Sequence, residues 1–109
     1  MSRQNIKKLL SYVKDDPKDI FSRFALAMEY WKIGKRDKTR LLLEYIYHKE
    51  PEYVGVYYHL GKLNEEENRI EEARKVYSDG ISMASQQKDA HAKDELETAL
   101  AELNIAYDE

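Results

Sequence analysis

The two prolines of this 109-residue chain, Pro17 and Pro51, stand 34 residues apart, and no other feature constrains the fold as much. Apolar residues on both sides of them recur at the i, i+3, i+4, i+7 spacing of a buried helix face, and no convincing period-two strand is present. A proline pushes the preceding residue away from helical dihedral angles but is tolerated in the first turn of a helix. Each proline is therefore predicted to separate one helix from the next, at a fixed interval.

The pattern predicts six helices joined by turns of a few residues, which is an all-α fold with antiparallel neighbours. Asp16 and Pro17 are predicted to cap and open the second helix, which runs to about Ile33. Gly34 and Asn68 are predicted to take the left-handed conformation that ends a helix. The predicted helices are one ending near residue 15, one over about 16–33, one over about 38–49, one beginning near 52, one over about 70–84 and one over about 89–107.

Each predicted helix carries an apolar stripe that is expected to be buried. For Tyr12, Tyr30 and Tyr77, a place in the core is preferred to a role in binding. The expected core residues are Ile6, Leu9, Leu10 and Val13; Leu26, Ala27, Tyr30 and Ile33; Leu42, Leu43, Ile46 and Tyr47; Tyr57, Leu60, Gly61 and Leu63; Ala73, Val76, Tyr77, Gly80 and Ile81; and Leu96, Ala99, Leu100, Leu103 and Tyr107.

Shifting the sequence by 34 residues tests whether the interval is a repeat, because a repeat must also align its buried and turn positions. Large apolar residues fall on large ones, small on small, and turn residues on turn residues. The aligned pairs include Ile20 with Val54, Phe24 with Tyr58, Leu26 with Leu60, Ala27 with Gly61, Gly34 with Asn68, Arg40 with Arg74, Leu42 with Val76 and Tyr47 with Ile81.

A helix-turn-helix unit of 34 residues, with small residues where its helices cross, resembles the tetratricopeptide repeat. The resemblance covers two units of a single domain, 20–53 and 54–87, with 1–19 as a half-repeat and 88–109 as a capping helix. Thr39 and Ile46 depart from the small residues of the family pattern, and Gly80 stands where the family has a small alanine. The residues that carry the resemblance are Leu26, Ala27, Tyr30, Pro51, Tyr57, Leu60, Gly61, Ala73 and Tyr77.

The resemblance implies an α-α superhelix whose concave groove holds a peptide or helix of another protein. Trp31 and Tyr58 are expected to be the aromatic residues that anchor a bound hydrophobic or amphipathic segment. Lys62 is expected to fix the position of that segment through a polar contact. Because Lys62 is the one basic residue expected there, a clamp for a C-terminal carboxylate is not expected. The residues expected to line the groove are Phe21, Phe24, Met28, Trp31, Tyr58 and Lys62.

Two functions remain open at this point. One is an adaptor that binds another protein in the groove, and the other is a self-association module that forms a homodimer through the same apolar surface. A third interpretation of Phe21, Phe24 and Met28 is that they pack against the first helix. The oligomeric state would separate the two functions, because an adaptor is expected to be a monomer that binds a partner and a self-association module is expected to be a homo-oligomer.

Several kinds of chemistry are not expected. The chain has no cysteine, which excludes a disulfide framework and a thiolate metal site, and His48, His59 and His91 follow no metal-binding spacing. The acidic stretch "NEEENRIEE" fits a solvated helix end, and no nucleophile motif or phosphate-binding glycine loop is present. The sequence therefore predicts no enzyme, no metal and no cofactor.

Nucleic-acid and membrane partners are not expected either. The basic stretch "KIGKRDKTR" spans a turn of a chain whose net charge is −3, so binding to phosphates is not favoured. The longest run without a charged residue, Tyr53 to Gly61, is far shorter than the roughly 20 residues that cross a bilayer. With no secretory signal pattern, the cytoplasm is the expected location.

Charge is distributed unevenly along the chain. Residues 1–18 carry five basic and two acidic residues, whereas residues 88–109 carry two basic and seven acidic ones. Such asymmetry favours head-to-tail contact between copies or steering of a charged partner, and it is also what unselected variation on solvated helix faces produces.

Overall fold

The structure, a computed structural model, describes residues 2–108. Over this range the chain has six α-helices and no β-strand, so the predicted all-α fold is confirmed. The helices are α1 (Ser2–Asp15), α2 (Ile20–Lys32), α3 (Arg36–Lys49), α4 (Gly55–Glu66), α5 (Ile70–Gln86) and α6 (Ala90–Tyr107).

The helices form two compact units. Residues 1–50 contain α1 to α3, with α2 packed against both of the others. Residues 51–109 contain α4 to α6, with α5 packed against both of the others and α4 also in contact with α6. Each fully buried leucine or isoleucine contributes about 1.5–3 kcal/mol to the stability of its unit. The buried side chains of the first unit are Ser22, Leu26, Ala27, Thr39, Leu43 and Ile46, and those of the second include Val56, Tyr57, Leu60, Leu63, Ala73, Val76, Tyr77, Leu96, Ala99 and Leu103.

The second helix begins later than the sequence pattern predicts. Asp19, and not Asp16, is its N-cap: one carboxylate oxygen accepts the backbone N–H of Ser22 at 2.9 Å and the other accepts the Ser22 hydroxyl at 2.6 Å. Asp16 instead accepts the backbone N–H of Lys18 at 3.1 Å, in the turn that contains Pro17. The prediction of an Asp16 cap was wrong because a serine three residues after Asp19 gives the later aspartate two donors. The helix predicted to begin near residue 52 likewise begins only at Gly55.

Three helices end in the same way. Gly34 and Asn68 take left-handed backbone angles, with φ of +78° and +61°, as predicted. At each end the N–H one residue further on donates to a carbonyl five residues back: Lys35 to Tyr30 at 2.9 Å and Arg69 to Asn64 at 2.7 Å. This is the hydrogen bond of a Schellman motif, which pairs a carbonyl that the helix end leaves open. A third such end, at Lys88 with φ of +58°, was not predicted, because lysine rarely takes this conformation.

The crossing of α4 and α5 is close because each helix presents a glycine to a tyrosine of the other. A Cβ atom on Gly61 would lie 2.1 Å from a ring carbon of Tyr77, and one on Gly80 would lie 2.5 Å from the Tyr57 Cβ. The Tyr57 hydroxyl in turn donates to the backbone carbonyl of Pro51 at 2.5 Å. The two glycines therefore provide the space in which two large aromatic side chains become buried.

In the first unit, larger residues occupy the equivalent crossing. Thr39 and Ile46, which depart from the expected small residues, are both fully buried. The Thr39 hydroxyl donates to the Lys35 carbonyl at 3.0 Å, so the polar group is satisfied inside the helix. The unit thus accommodates these departures without leaving a buried hydroxyl unpaired.

Four residues that were predicted to be in the core are exposed. Leu10 is 46% exposed because α1 turns only Ile6, Leu9 and Val13 toward partial burial. Ile33 is exposed because it is the C-cap of α2 and lies beyond the helical stripe. The other two, Tyr12 and Tyr107, lie on α1 and in the last turn of α6, and both are about half exposed.

Candidate functional site

The first set of predicted binding residues lies along one stripe of α2, in the first unit. Phe21 is 73% exposed, and the other three, Phe24, Met28 and Trp31, are half-buried. Ser22, Leu26 and Ala27 form the buried side of the same helix. The local sequence therefore gives α2 one stripe that is buried in the core of the first unit and a second, apolar stripe that is at least partly exposed to solvent.

The other two predicted residues, Tyr58 and Lys62, lie one turn apart on α4, in the second unit. They form one wall of a cleft of about 330 Å³. The other wall is α6, which contributes mainly polar residues, and three of its six lining residues are acidic. The α6 residues that line the cleft are His91, Asp94, Glu95, Thr98, Ala99 and Glu102.

A series of contacts fixes the α4 wall. The Lys62 ammonium lies 5.3 Å from the centroid of the Tyr58 ring and 3.6 Å from Oε2 of Glu65. The Tyr77 hydroxyl, from α5, donates to the same Glu65 oxygen. Because Glu65 is held by a buried tyrosine, it holds the lysine beside the aromatic ring.

Two pKa shifts accompany this arrangement. Burial, together with the hydrogen bond to Glu65, raises the pKa of Tyr77, so its hydroxyl remains a proton donor. Burial also lowers the pKa of His59, the neighbour of Tyr58, although the Glu95 carboxylate acts in the opposite direction. The His59 ring stands edge-on to the Tyr58 ring, with centroids 5.5 Å apart. His59 is therefore uncharged at neutral pH, and it does not offset the negative charge of the carboxylates that line the cleft.

Sequence reasoning missed the α6 wall. Its residues at positions 91, 94, 95, 98 and 102 have the i, i+3, i+4, i+7, i+11 spacing of one helix face, and this spacing was the available signal. It was overlooked because residues 88–109 were interpreted as a capping helix. A polar helix face borders a cleft only if another helix stands opposite it. The sequence alone does not show which helix stands opposite α6.

No metal-binding group is found within residues 2–108: no three histidine or carboxylate side chains are placed to hold an ion together. None of the helices in that range is long and apolar enough to cross a membrane.

Solved structures identify the architecture. A solution structure of a tetratricopeptide repeat domain protein from Salinibacter ruber is 35% identical in sequence, with a TM-score of 0.82, and the match covers 86% of this chain and 95% of that one. The chain belongs to the tetratricopeptide repeat family. A crystal structure of a tetratricopeptide repeat domain protein from the same organism is 36% identical, with a TM-score of 0.77 over 80% of this chain and 97% of that one.

The same fold is also found at lower identity. A protein from Bordetella parapertussis, 21% identical, has a TM-score of 0.78 over 93% of this chain and 88% of that one, which shows a shared fold. No family model and no curated protein matches the chain in sequence. Tetratricopeptide folds generally mediate protein-protein interaction, and their members are typically scaffolds without catalytic activity.

Most residues of the tetratricopeptide pattern lie in the cores of the two units. Tyr30 is half-buried, and Pro51 is exposed in the turn before α4 while its carbonyl accepts the Tyr57 hydroxyl. The buried pattern residues are Leu26, Ala27, Tyr57, Leu60, Gly61, Ala73 and Tyr77.

Proposed function

We propose that this chain is a non-enzymatic adaptor that binds a segment of another protein in the cleft between α4 and α6. The observation that carries the proposal is that Tyr58 and Lys62, two of the predicted groove residues, form one wall of that cleft. Aromatic side chains at the centre of a contact commonly supply much of its energy, because they bury a large area at a low entropic cost.

The charges of the cleft favour an amphipathic segment that carries basic side chains. Lys62 is already engaged with Glu65, whereas Asp94, Glu95 and Glu102 on the facing wall form no ion pair with any residue in the described range. A lysine or arginine of the bound segment can form ion pairs with these carboxylates, whereas an acidic segment is repelled by them. An apolar residue between the basic ones is expected to pack on the Tyr58 ring.

The test uses two labelled helical peptides of identical pattern, one built of lysine and leucine and the other of glutamate and leucine. Fluorescence anisotropy is expected to show binding of the basic peptide only. Tyr58→Ala and Glu95→Lys are expected to weaken it. Matched controls, Tyr45→Ala on α3 and Glu97→Lys on α6 outside the cleft, are expected to leave it unchanged. Equal binding of both peptides, or binding that Tyr58→Ala does not affect, would refute the proposal.

A second candidate function is homodimerisation through the α2 stripe. It is favoured by one observation, the 73% exposure of Phe21, because phenylalanine is enriched in protein interfaces relative to the rest of the protein surface. Phe24, Met28 and Trp31 are the neighbours that would extend such an interface. A dimer that Phe21→Asp converts to a monomer, with peptide binding in the α4 and α6 cleft unaffected, supports this candidate.

A further inference from the structure

The outer faces of α1 and α6 both expose apolar side chains next to charge. On α1, a stripe formed by Lys7, Leu10 and Lys14 is exposed, while Ile6, Leu9 and Val13 turn toward α2. The α1 stripe therefore offers one large aliphatic side chain between two ammonium groups. Tyr12, on another side of the helix, is half exposed as well.

The corresponding face of α6 has the opposite charge. Its stripe, formed by Glu97, Ala101 and Ile105, lies on the other side of the helix from the buried Leu96 and Leu103. Ile105 is 82% exposed, the largest value among the exposed apolar side chains of residues 3–108. None of these three lines the cleft, so the α6 stripe is distinct from the proposed binding site.

The charged members of both stripes are available. Over residues 3–108, Lys7, Lys14 and Glu97 form no ion pair. The basic excess of residues 1–18 and the acidic excess of 88–109 place each stripe in a wider field of its own sign. Contact between two α1 stripes or between two α6 stripes brings like charges together, and contact between an α1 stripe and an α6 stripe brings opposite charges together.

We propose that copies of this chain associate head to tail, with the α1 stripe of one copy packed against the α6 stripe of the next. Leu10 and Ile105 supply apolar area that is removed from water, while Lys7 and Lys14 face the Glu97 carboxylate. The interface is heterologous, because the two contacting patches differ. Each added copy presents a new free stripe, so assembly continues into rings or open chains and does not stop at a two-fold dimer.

Complementing variants test this arrangement directly. Leu10→Asp removes the α1 stripe and keeps that of α6, and Ile105→Asp does the reverse. In sedimentation velocity at low ionic strength, the mass of the unmodified chain is expected to rise with concentration, whereas each variant alone stays monomeric. An equimolar mixture of the two variants is expected to form dimers and nothing larger, because one intact interface remains.

Two further comparisons separate this interface from other causes. Leu41→Asp, at an α3 leucine that is 71% exposed, is the matched control and is expected to assemble like the unmodified chain. Lys7→Glu combined with Lys14→Glu is expected to weaken association roughly tenfold, and raised salt is expected to weaken it too. Circular dichroism of every variant checks that it is folded.

Three results would overturn the proposal: an unmodified chain that stays monomeric over the concentration series, a single variant that still dimerises, or a mixture of variants that remains monomeric. A two-fold contact would survive Leu10→Asp or Ile105→Asp, so it is recognised by the second result. Peptide binding in the cleft is measured on the same variants and is expected to be unchanged, which keeps this test independent of the proposed adaptor function.

Discussion

Gly80 lies on α5 where that helix crosses α4, and the space beside it is filled. A Cβ atom there would lie 2.5 Å from Cβ and 2.8 Å from Cγ of Tyr57, and 2.9 Å from a terminal methyl of Leu96. Carbon atoms in van der Waals contact prefer about 3.5–4.0 Å. The Leu96 methyl can rotate away, but the Tyr57 Cβ is fixed to the α4 backbone, so Gly80→Ala requires the two helices to separate.

The expected cost follows from two opposed effects. Overpacking a filled core typically costs about 1–3 kcal/mol, and a contact with a backbone-fixed carbon belongs at the upper end. Replacing a mid-helix glycine by alanine recovers about 1 kcal/mol of helix propensity. The net expectation is a loss of about 1–2 kcal/mol in the free energy of unfolding. A domain of this size then melts roughly 4–8 °C lower for each kcal/mol lost.

Urea and thermal unfolding followed by circular dichroism measure this loss, and Gly55→Ala is the matched control. A Cβ on Gly55, in the first turn of α4, would meet only a ring carbon of Tyr53 at an ordinary 3.5 Å, so that variant is expected to be as stable as the parent or slightly more stable. The family pattern, which has alanine at the position of Gly80, predicts no loss for Gly80→Ala. If Gly80→Ala unfolds at the same urea concentration as the parent, the close crossing of α4 and α5 is refuted.

Three further predictions concern hydrogen bonds and pH. Tyr77→Phe removes the donor to Glu65 and is expected to cost about 1.5–3 kcal/mol in urea unfolding, since the acceptor is charged; an unchanged midpoint would contradict this. Asp89→Ala removes the carboxylate that accepts the Ala92 N–H at 3.0 Å at the start of α6, at an expected cost of about 1 kcal/mol, which Asp89→Asn is expected to restore largely. Burial lowers the pKa of His59 in the folded protein below its ordinary 6.5. The contribution of neutral His59 to stability is therefore complete above pH 6.5 and is lost as the pH falls through the lower folded-state pKa. His59→Gln is expected to flatten that part of the plot of stability against pH, and an identical acid slope in both proteins would show that His59 is not responsible.

The amino-acid sequence determined the number and kind of elements because those depend on local periodicity and on breakers. The turns at Gly34 and Asn68 were predicted correctly, since few residues other than glycine and asparagine take positive φ readily. The helix that opens at Asp19 was misplaced, because both Asp16 and Asp19 are good caps and only the hydroxyl of Ser22 decides between them. Local signals thus fix the helices and leave their first turns ambiguous.

The candidate site was predicted in part. Tyr58 and Lys62 were predicted to share a stripe on one helix, which the helical repeat makes visible in the sequence, and both line the cleft; their role in binding stays a prediction. The acidic wall that faces them, with Asp94, Glu95 and Glu102, comes from a helix more than 30 residues further along the chain. No local periodicity connects two such helices, so the charge of the cleft became known only from the structure.

The sequence by itself determined an all-α repeat, its turns and most of its core, because a buried helix face must repeat apolar residues at a fixed spacing. Only the tertiary structure decided which of those apolar residues find a neighbour. Leu10 and Tyr107 carry the same pattern as Leu9 and Leu103, but no helix within residues 2–108 covers them, and they remain exposed. The physical reason is that burial is a property of two surfaces in contact, and a stripe in the sequence specifies only one of them.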